Sequence, residues 1–275
     1  MVFFNNCDIR VNGTGVMAQN ASITSQSPVI GMRTLGRNRA HVTAGGTYQN
    51  ILRFTYVINL DQDPCFASVT DLKNTKNFTG LSPETIEVAG ITGSYYLQDY
   101  SIDVKPNEVA VASVSYVGYE LVTGTIRNKS SNYNFIQSGF SGLAHSWTSK
   151  ITSDDGDLEV PIYDFSYNLK VGLNPIYVLG KKFPTQVQLL TTEEEMSVIR
   201  DEYQALTWYG TSGCKLFDSC SNNPKVKVMK LANFCNENID NGMIFDVSNS
   251  TFESAGINVD TNDFVSVNLA ATRYY

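Results

Sequence analysis

The residues of this chain whose types could do chemistry stand apart from the partners that chemistry needs. The two histidines, His41 and His145, lie in unlike contexts far apart in the chain. Neither is at a ligand spacing from a cysteine or a carboxylate pair, so a metal centre or an imidazole proton relay has no visible support. Asp154-Asp155-Gly156-Asp157 gathers the carboxylates that calcium takes. No bidentate Glu follows at the distance an EF-hand loop requires, and the stretch reads as a solvated turn. Glu193, Glu194 and Glu195 are adjacent; neighbours on a strand face opposite ways, so they do not make an acid–base pair. Gly45-Gly46 reads as turn glycines rather than an anion nest. There is no nucleophile elbow, phosphate loop or dinucleotide fingerprint. The expectation is a protein that is not an enzyme and carries no cofactor.

The five cysteines, Cys7, Cys65, Cys214, Cys220 and Cys235, are odd in number and loosely spaced, which fits neither a disulfide framework nor a zinc site. A bridge between Cys214 and Cys220 is conceivable in an oxidising medium, and Cys235 shares their window, but free buried thiols are the preferred reading. The segment Met1 to Asp8 lacks the basic and apolar regions of a signal peptide, and no apolar run reaches bilayer-spanning length. Assembly in cytoplasm without membrane contact is therefore expected.

Charged residues make up 17% of the 275 and sum to −7, while Asn, Ser, Thr, Gly and Tyr abound. Such a composition suits strands whose polar faces hydrogen-bond rather than ionise. The acidic balance argues against gripping nucleic acid through its phosphates. It suits a surface that DNA passes without sticking.

The elements that would position these residues are mostly strands. Cys7 to Val11 alternates, Asn12-Gly13 signals a tight hairpin, and Gly15 to Ile23 returns. Gly46 to Leu60 offers a strand with Ile51, Phe54, Tyr56 and Ile58 facing inward. Asp61 to Pro83 reads as a long loop with a short helix around Ala67 to Leu72. Strands resume at Tyr95 to Leu97 and Ile102 to Val104, followed by a Pro106-Asn107 turn and Val109 to Tyr119. Gly124 to Asp157 reads as a connection or a surface excursion. Beyond it, strands are expected at Tyr163 to Val171, Ile176 to Val178, Thr185 to Leu190 and Met196 to Tyr203. Thr191 to Glu195 is taken as a polar hairpin tip in preference to a helix capping box. Lys225 to Lys230 is a period-two strand.

The chain also repeats itself. Ile102 through Tyr119 lies without a gap over Ile257 through Tyr274. Upstream, Ile23 to Pro28 and Leu35-Gly36-Arg37-Asn38-Arg39 rhyme with Leu169 to Pro175 and Leu179-Gly180-Lys181-Lys182. Duplication of a β-rich unit suggests a building block with repeated surfaces. It places two domains at 1-150 and 151-275, with the break near Lys150. Arg33, Arg37 and Arg39 occupy matching positions to Lys181 and Lys182, where salt links to a neighbouring subunit and a solvated face are equally open readings.

Leu35-Gly36-Arg37, the run Asn174 to Val187 with its following turn and strand, and the opening Cys7 to Ile23 resemble the pattern of bacteriophage tail tube proteins. The resemblance touches both copies. It implies a mainly β chain of two tandem tube-fold domains, β-sandwiches that form a barrel between subunits, each with at most a short helix. It also implies that a long loop in each domain contacts the next ring, which makes Asp61, Asp63, Lys73 and Lys76 candidate contact residues. Glu193, Glu194 and Glu195 become candidate lumen or surface acids. The implied partners are further copies, in trimeric pseudo-hexameric or hexameric stacked rings, other tail proteins such as sheath, baseplate or terminator, and DNA passing unbound through a virion tail. Two other expectations stand beside it: a baseplate or hub ring with tube domains, and a β-sandwich carbohydrate-binding module using Trp147, Trp208 and tyrosines as stacking platforms.

Overall fold

In a computed structural model, residues 9–27, 29–32, 42–58, 63–125, 147–153, 156–159, 162–201, 226–233, 243–246, 251–258 and 266–274 are described. The chain is mainly β. The first half contains β1 (Ile9–Val11), β2 (Thr14–Gln26), β3 (Val29–Met32), β4 (Val42–Gly45), β5 (Gln49–Val57), α1 (Pro64–Lys73), β6 (Glu84–Val88), β7 (Ile91–Val104), β8 (Val111–Gly118) and β9 (Thr123–Gly124). It is followed by β10 (Trp147–Ser153), β11 (Gly156–Glu159), β12 (Ile162–Ile176), β13 (Gln186–Asp201), β14 (Val226–Asn233), β15 (Met243–Asp246), β16 (Thr251–Asn258) and β17 (Ser266–Tyr274).

Hydrophobic alternation makes the strands. Along β5, Asn50, Leu52, Phe54, Tyr56 and then Ile58 are buried while their neighbours are not. Ile51, expected inward, therefore faces the other way, because residues two apart share a face and Phe54 fixes the parity. Asn12 (φ 51°) and Gly13 (φ 86°) both take left-handed backbone and close β1 onto β2 as the expected tight turn. A second such turn, Ala89-Gly90 (φ 50° and 86°), joins β6 to β7 in a stretch whose Ile86 and Val88 alternation the sequence reading passed over.

One sheet of eleven strands dominates. Within it β7, β6, β1, β2, β5 and β8 are neighbours in turn, and β8 pairs back with β7, so these six close into a barrel. The same sheet continues from β7 to β12, β13, β17 and β16. β10 and β11 form a smaller sheet with β14 and β15. Within the stretch from 124 to 157, expected as a connection, residues 147–153 and 156–157 are thus strand, and Lys150 sits inside β10, paired with Glu159 and Lys230. Thr191 to Glu195 is not a hairpin tip. β13 runs unbroken from Gln186 to Asp201, with Thr192, Glu194, Met196 and Val198 buried in turn. The chain reverses earlier, between Ile176 and Gln186, where Lys181 N bonds Val178 O and Gly180 takes φ 80°. β7 likewise runs through the gap expected between Leu97 and Ile102.

Two sets of four strands share one register. In β7–β8, Ile102 pairs with Ala112; in β16–β17, Ile257 pairs with Val267, each residue 155 positions on. The irregularity between Leu97 and Asp99 recurs between Phe252 and Ser254 at the same shift. In β2–β5, Ser25 pairs with Asn50; in β12–β13, Leu169 pairs with Glu194, each 144 on. The bulge between Ala18 and Asn20 recurs at that shift between Ile162 and Asp164. The short β3–β4 pair obeys the same shift, with Val29↔Gly45 carried onto Leu173↔Leu189. The downstream half of the sequence repeat is thus aligned as the strands pair. In the upstream rhyme the first segment is displaced by two residues, since Ile23 corresponds to Tyr167 and not Leu169, whereas Leu35-Gly36-Arg37 set against Leu179-Gly180-Lys181 already stands at the shift of 144. A β-ladder fixes register through backbone bonds, whereas a few apolar identities tolerate a two-residue slide that keeps the same face.

Candidate functional site

The place where the two four-stranded sets meet is the most elaborated region of the molecule. There β12 lies antiparallel against β7, from Phe165↔Val104 to Lys170↔Asp99. α1 lies over this seam. It starts where Asp63 caps it: the carboxylate accepts from Cys65 N and Phe66 N, both at 2.9 Å, and Pro64 occupies the first turn. An Asp followed by Pro is a helix-start signal that was present in the sequence and places the helix earlier than the expected Ala67. Cys65, Val69 and Leu72 form its buried stripe. Phe66 packs at a tilt against Tyr100 of β7 (ring centroids 6.0 Å apart) and Phe245 of β15 (5.0 Å). Phe245 also meets Phe165 (4.9 Å) and Tyr167 (4.8 Å) of β12. One helix thereby ties together strands from both sets. Tilted ring pairs of this kind contribute about 0.5–1.5 kcal/mol each beyond area burial.

The end of the helix adds an ionic clasp. Lys73 Nζ lies 2.5 Å from Glu194 Oε1 and 3.2 Å from Asp246 O, while the Tyr167 hydroxyl donates to Glu194 at 2.6 Å. Glu194 is 1% exposed. After α1 the chain runs along the edge of β13: Phe78 N bonds Leu189 O (2.6 Å), Leu189 N bonds Thr79 O (3.1 Å), and Leu81 N bonds Val187 O (2.8 Å). Beyond, Val187 and Leu173 of the β12–β13 arm pack on Val117 and Tyr119. The stretch expected to be a free loop reaching another ring is, over residues 63–83, docked on its own chain.

Two further acids lie beside α1, Asp63 buried and Glu84 half-buried. The Tyr56 hydroxyl donates to Asp63, 2.7 and 2.8 Å from the two oxygens. Burial pushes the Asp63 carboxyl up to about 6, outweighing the hydrogen bonds from Phe66 N, Tyr56 and Cys65 N. Burial likewise pushes Glu84 up to about 7, against hydrogen bonds from Ser68 and Tyr116. The Cys65 thiol is raised by burial and then by the Asp63 charge, which keeps it neutral and unreactive.

Of the residues singled out from sequence, Asp63 is the buried helix cap and Lys73 is committed to Glu194, so neither is free for a neighbouring ring. Lys76 is exposed. Lys181 and Lys182 are exposed at the turn of the β12–β13 arm. Glu193 and Glu195 face away from Glu194, toward Lys170, whose Nζ lies 4.0 and 3.5 Å from their carboxylates. Glu194 is removed from the surface acids altogether, because strand parity turns it into the core with Thr192 and Met196. Arg33, Arg37, Arg39, Asp61, His41, His145, Trp208, Cys214, Cys220 and Cys235 lie outside the described residues. Among the described residues no three His, Cys, Asp or Glu side chains gather as a metal site, and no helix is long and apolar enough to cross a membrane. Tyr56 is buried as expected, but its polar role and those of Tyr116 and Tyr167 were missed, since a tyrosine in an alternating run reads only as core; Glu84 was missed as well. What the arrangement does chemically is neutralise buried polar groups so that two sheets and a helix hold together.

The chain matches no protein-family model. No curated protein matches it.

Proposed function

We propose that the protein is a structural subunit of a phage tail tube, built from two tandem tube-fold units, which assembles into stacked rings around a channel for DNA. The observation that carries this reading is the shared register of the two four-stranded sets, bulges included, laid side by side in one sheet. A chain that repeats a sheet and joins the copies edge to edge already contains one contact of a larger assembly of such sheets. The closed barrel, the one short helix among the described residues and the long β12–β13 arm with its exposed Leu179, Lys181 and Lys182 agree with it. A net charge of −7 suits a conduit that does not hold its nucleic acid.

Three chains then make a ring of six sheet units, and the arms, rather than the docked 63–83 segment, reach the adjacent ring. No catalytic step is assigned. Negative-stain electron microscopy of the purified chain over a range of concentrations tests the proposal. Long tubes with a regular axial repeat and threefold rings in end view are expected. Single rings that never stack would move the protein to a baseplate or hub, and sixfold rings of this chain would overturn the count of three.

A further inference from the structure

The seam inside the chain specifies a second seam between chains. Over Met17 to Gln26, β2 is paired with β5 alone among the described residues, and β16 is paired with β17 alone. Among the described residues each therefore has an edge without a partner. β2 is the counterpart of β12 at the shift of 144 (25 to 169), and β16 is the counterpart of β7 at the shift of 155 (102 to 257). The intrachain seam pairs Ser166↔Asp103, Tyr167↔Ile102, Asn168↔Ser101, Leu169↔Tyr100 and Lys170↔Asp99. Carried through the two shifts, it becomes Ser22↔Asn258, Ile23↔Ile257, Thr24↔Gly256, Ser25↔Ala255 and Gln26↔Ser254.

We infer that β16 of one chain pairs antiparallel with β2 of a second copy in this register. The partner is another copy because both edges belong to this chain and are not joined within it. The inference rests on the assembly reading above and deepens it, taking its geometry from the chain's own seam. Composition agrees: neither Ala21 to Gln26 nor Ser254 to Asn258 contains a charge or a proline, the usual means of blunting an exposed edge. The intrachain seam, by contrast, is laced with charge, with Lys105 3.5 Å from Asp103 and 4.0 Å from Asp164. The edges joined are different, so the contact is head-to-tail and propagates into a ring or filament instead of stopping at a dimer. Being uncharged, it should be little affected by salt.

Chains carrying one added cysteine test the register. In either kind of antiparallel pair, directly opposed Cα atoms are about 4.5–5.5 Å apart, within disulfide reach; residues offset by two are about 7–8 Å apart, beyond it. Thr24→Cys mixed with Gly256→Cys, and Ser22→Cys mixed with Asn258→Cys, should give a covalent dimer on non-reducing gels after mild oxidation. The crossed mixtures, Thr24→Cys with Asn258→Cys and Ser22→Cys with Gly256→Cys, should give at least tenfold less, and each variant alone no more than the unmodified chain. Dimer from Thr24→Cys alone would mean a two-fold contact and overturn the inference. Rings or tubes by microscopy without matched cross-linking would overturn the seam while leaving the assembly reading standing. A chain that stays monomeric by sedimentation at every concentration would overturn both.

Discussion

Asn50 and Glu194 occupy the same place in the two sheet sets, 144 residues apart, and both are buried, but the molecule satisfies them differently. Asn50 stays neutral: its carbonyl oxygen accepts from the Ser25 hydroxyl at 2.6 Å and its amide donates to Glu120 O at 2.7 Å. Glu194 is held by Lys73, from α1, and by Tyr167. The first solution uses groups near the strand itself. The second recruits a cation from a helix 121 residues away in sequence. A repeated backbone thus dictates that a polar residue is buried at this position in each copy, while the surroundings decide whether charge is tolerated there. In the second copy the charge also locks the two halves together, since Lys73 belongs to the first.

That contrast can be broken most forcefully at its ionic end. Lys73→Met leaves the Glu194 carboxylate buried without its cation and should cost about 3–5 kcal/mol in urea unfolding, whereas adding Glu194→Leu to it should restore more than half. If the single substitution were nearly silent, the clasp would not be holding the halves.

Next comes acidity. Asp63 and Glu84, beside the first set, draw on hydroxyls and backbone donors, and burial raises both, to about 6 and about 7. Between those values and their ordinary ones, 3.8 and 4.5, the folded chain holds more protons than the unfolded chain. Unfolding free energy should therefore rise as pH falls from about 8 toward 4 and level off below, by at most about 3 kcal/mol for Glu84. Urea midpoints taken at pH 8, 6 and 4.5 read this directly. Glu84→Gln should flatten the slope and stabilise the protein at pH 8; an unchanged slope would place the proton elsewhere.

Asn50→Ala, at the neutral end, should cost about 1–3 kcal/mol, less than Lys73→Met and without a change in pH dependence. Equal losses at the two positions would dissolve the distinction. The smallest expected effect is at the β1–β2 turn, where Gly13 at φ 86° makes Gly13→Ala cost about 1 kcal/mol by thermal melting.

How far the sequence carried these features follows from what each depends on. The Asn12-Gly13 turn was legible because two positive φ values demand those residue types locally. The downstream repeat was legible because its hairpin has a fixed length between strands, so aligning residues aligned the ladder. The helix was legible in existence but not in extent, since the Asp63-Pro64 start competes with a surrounding stretch of turn residues. Thr191 to Glu195 misled because five polar residues in succession resemble a loop wherever their partners are remote in the chain. Nothing near them announces Lys73 or the docked 78–81 segment.

By itself, then, the sequence determined a mainly β chain, the Asn12-Gly13 turn and a duplicated hairpin, all of which are set by contacts between residues close in the chain. Only the tertiary structure decided that Glu194 is core, that Asp63 and Lys73 are spent within their own chain, and that β7 meets β12 in a definite register. Those outcomes depend on bringing remote strands together, where a backbone ladder fixes position to the residue and burial turns an ordinary surface charge into one that must have a partner.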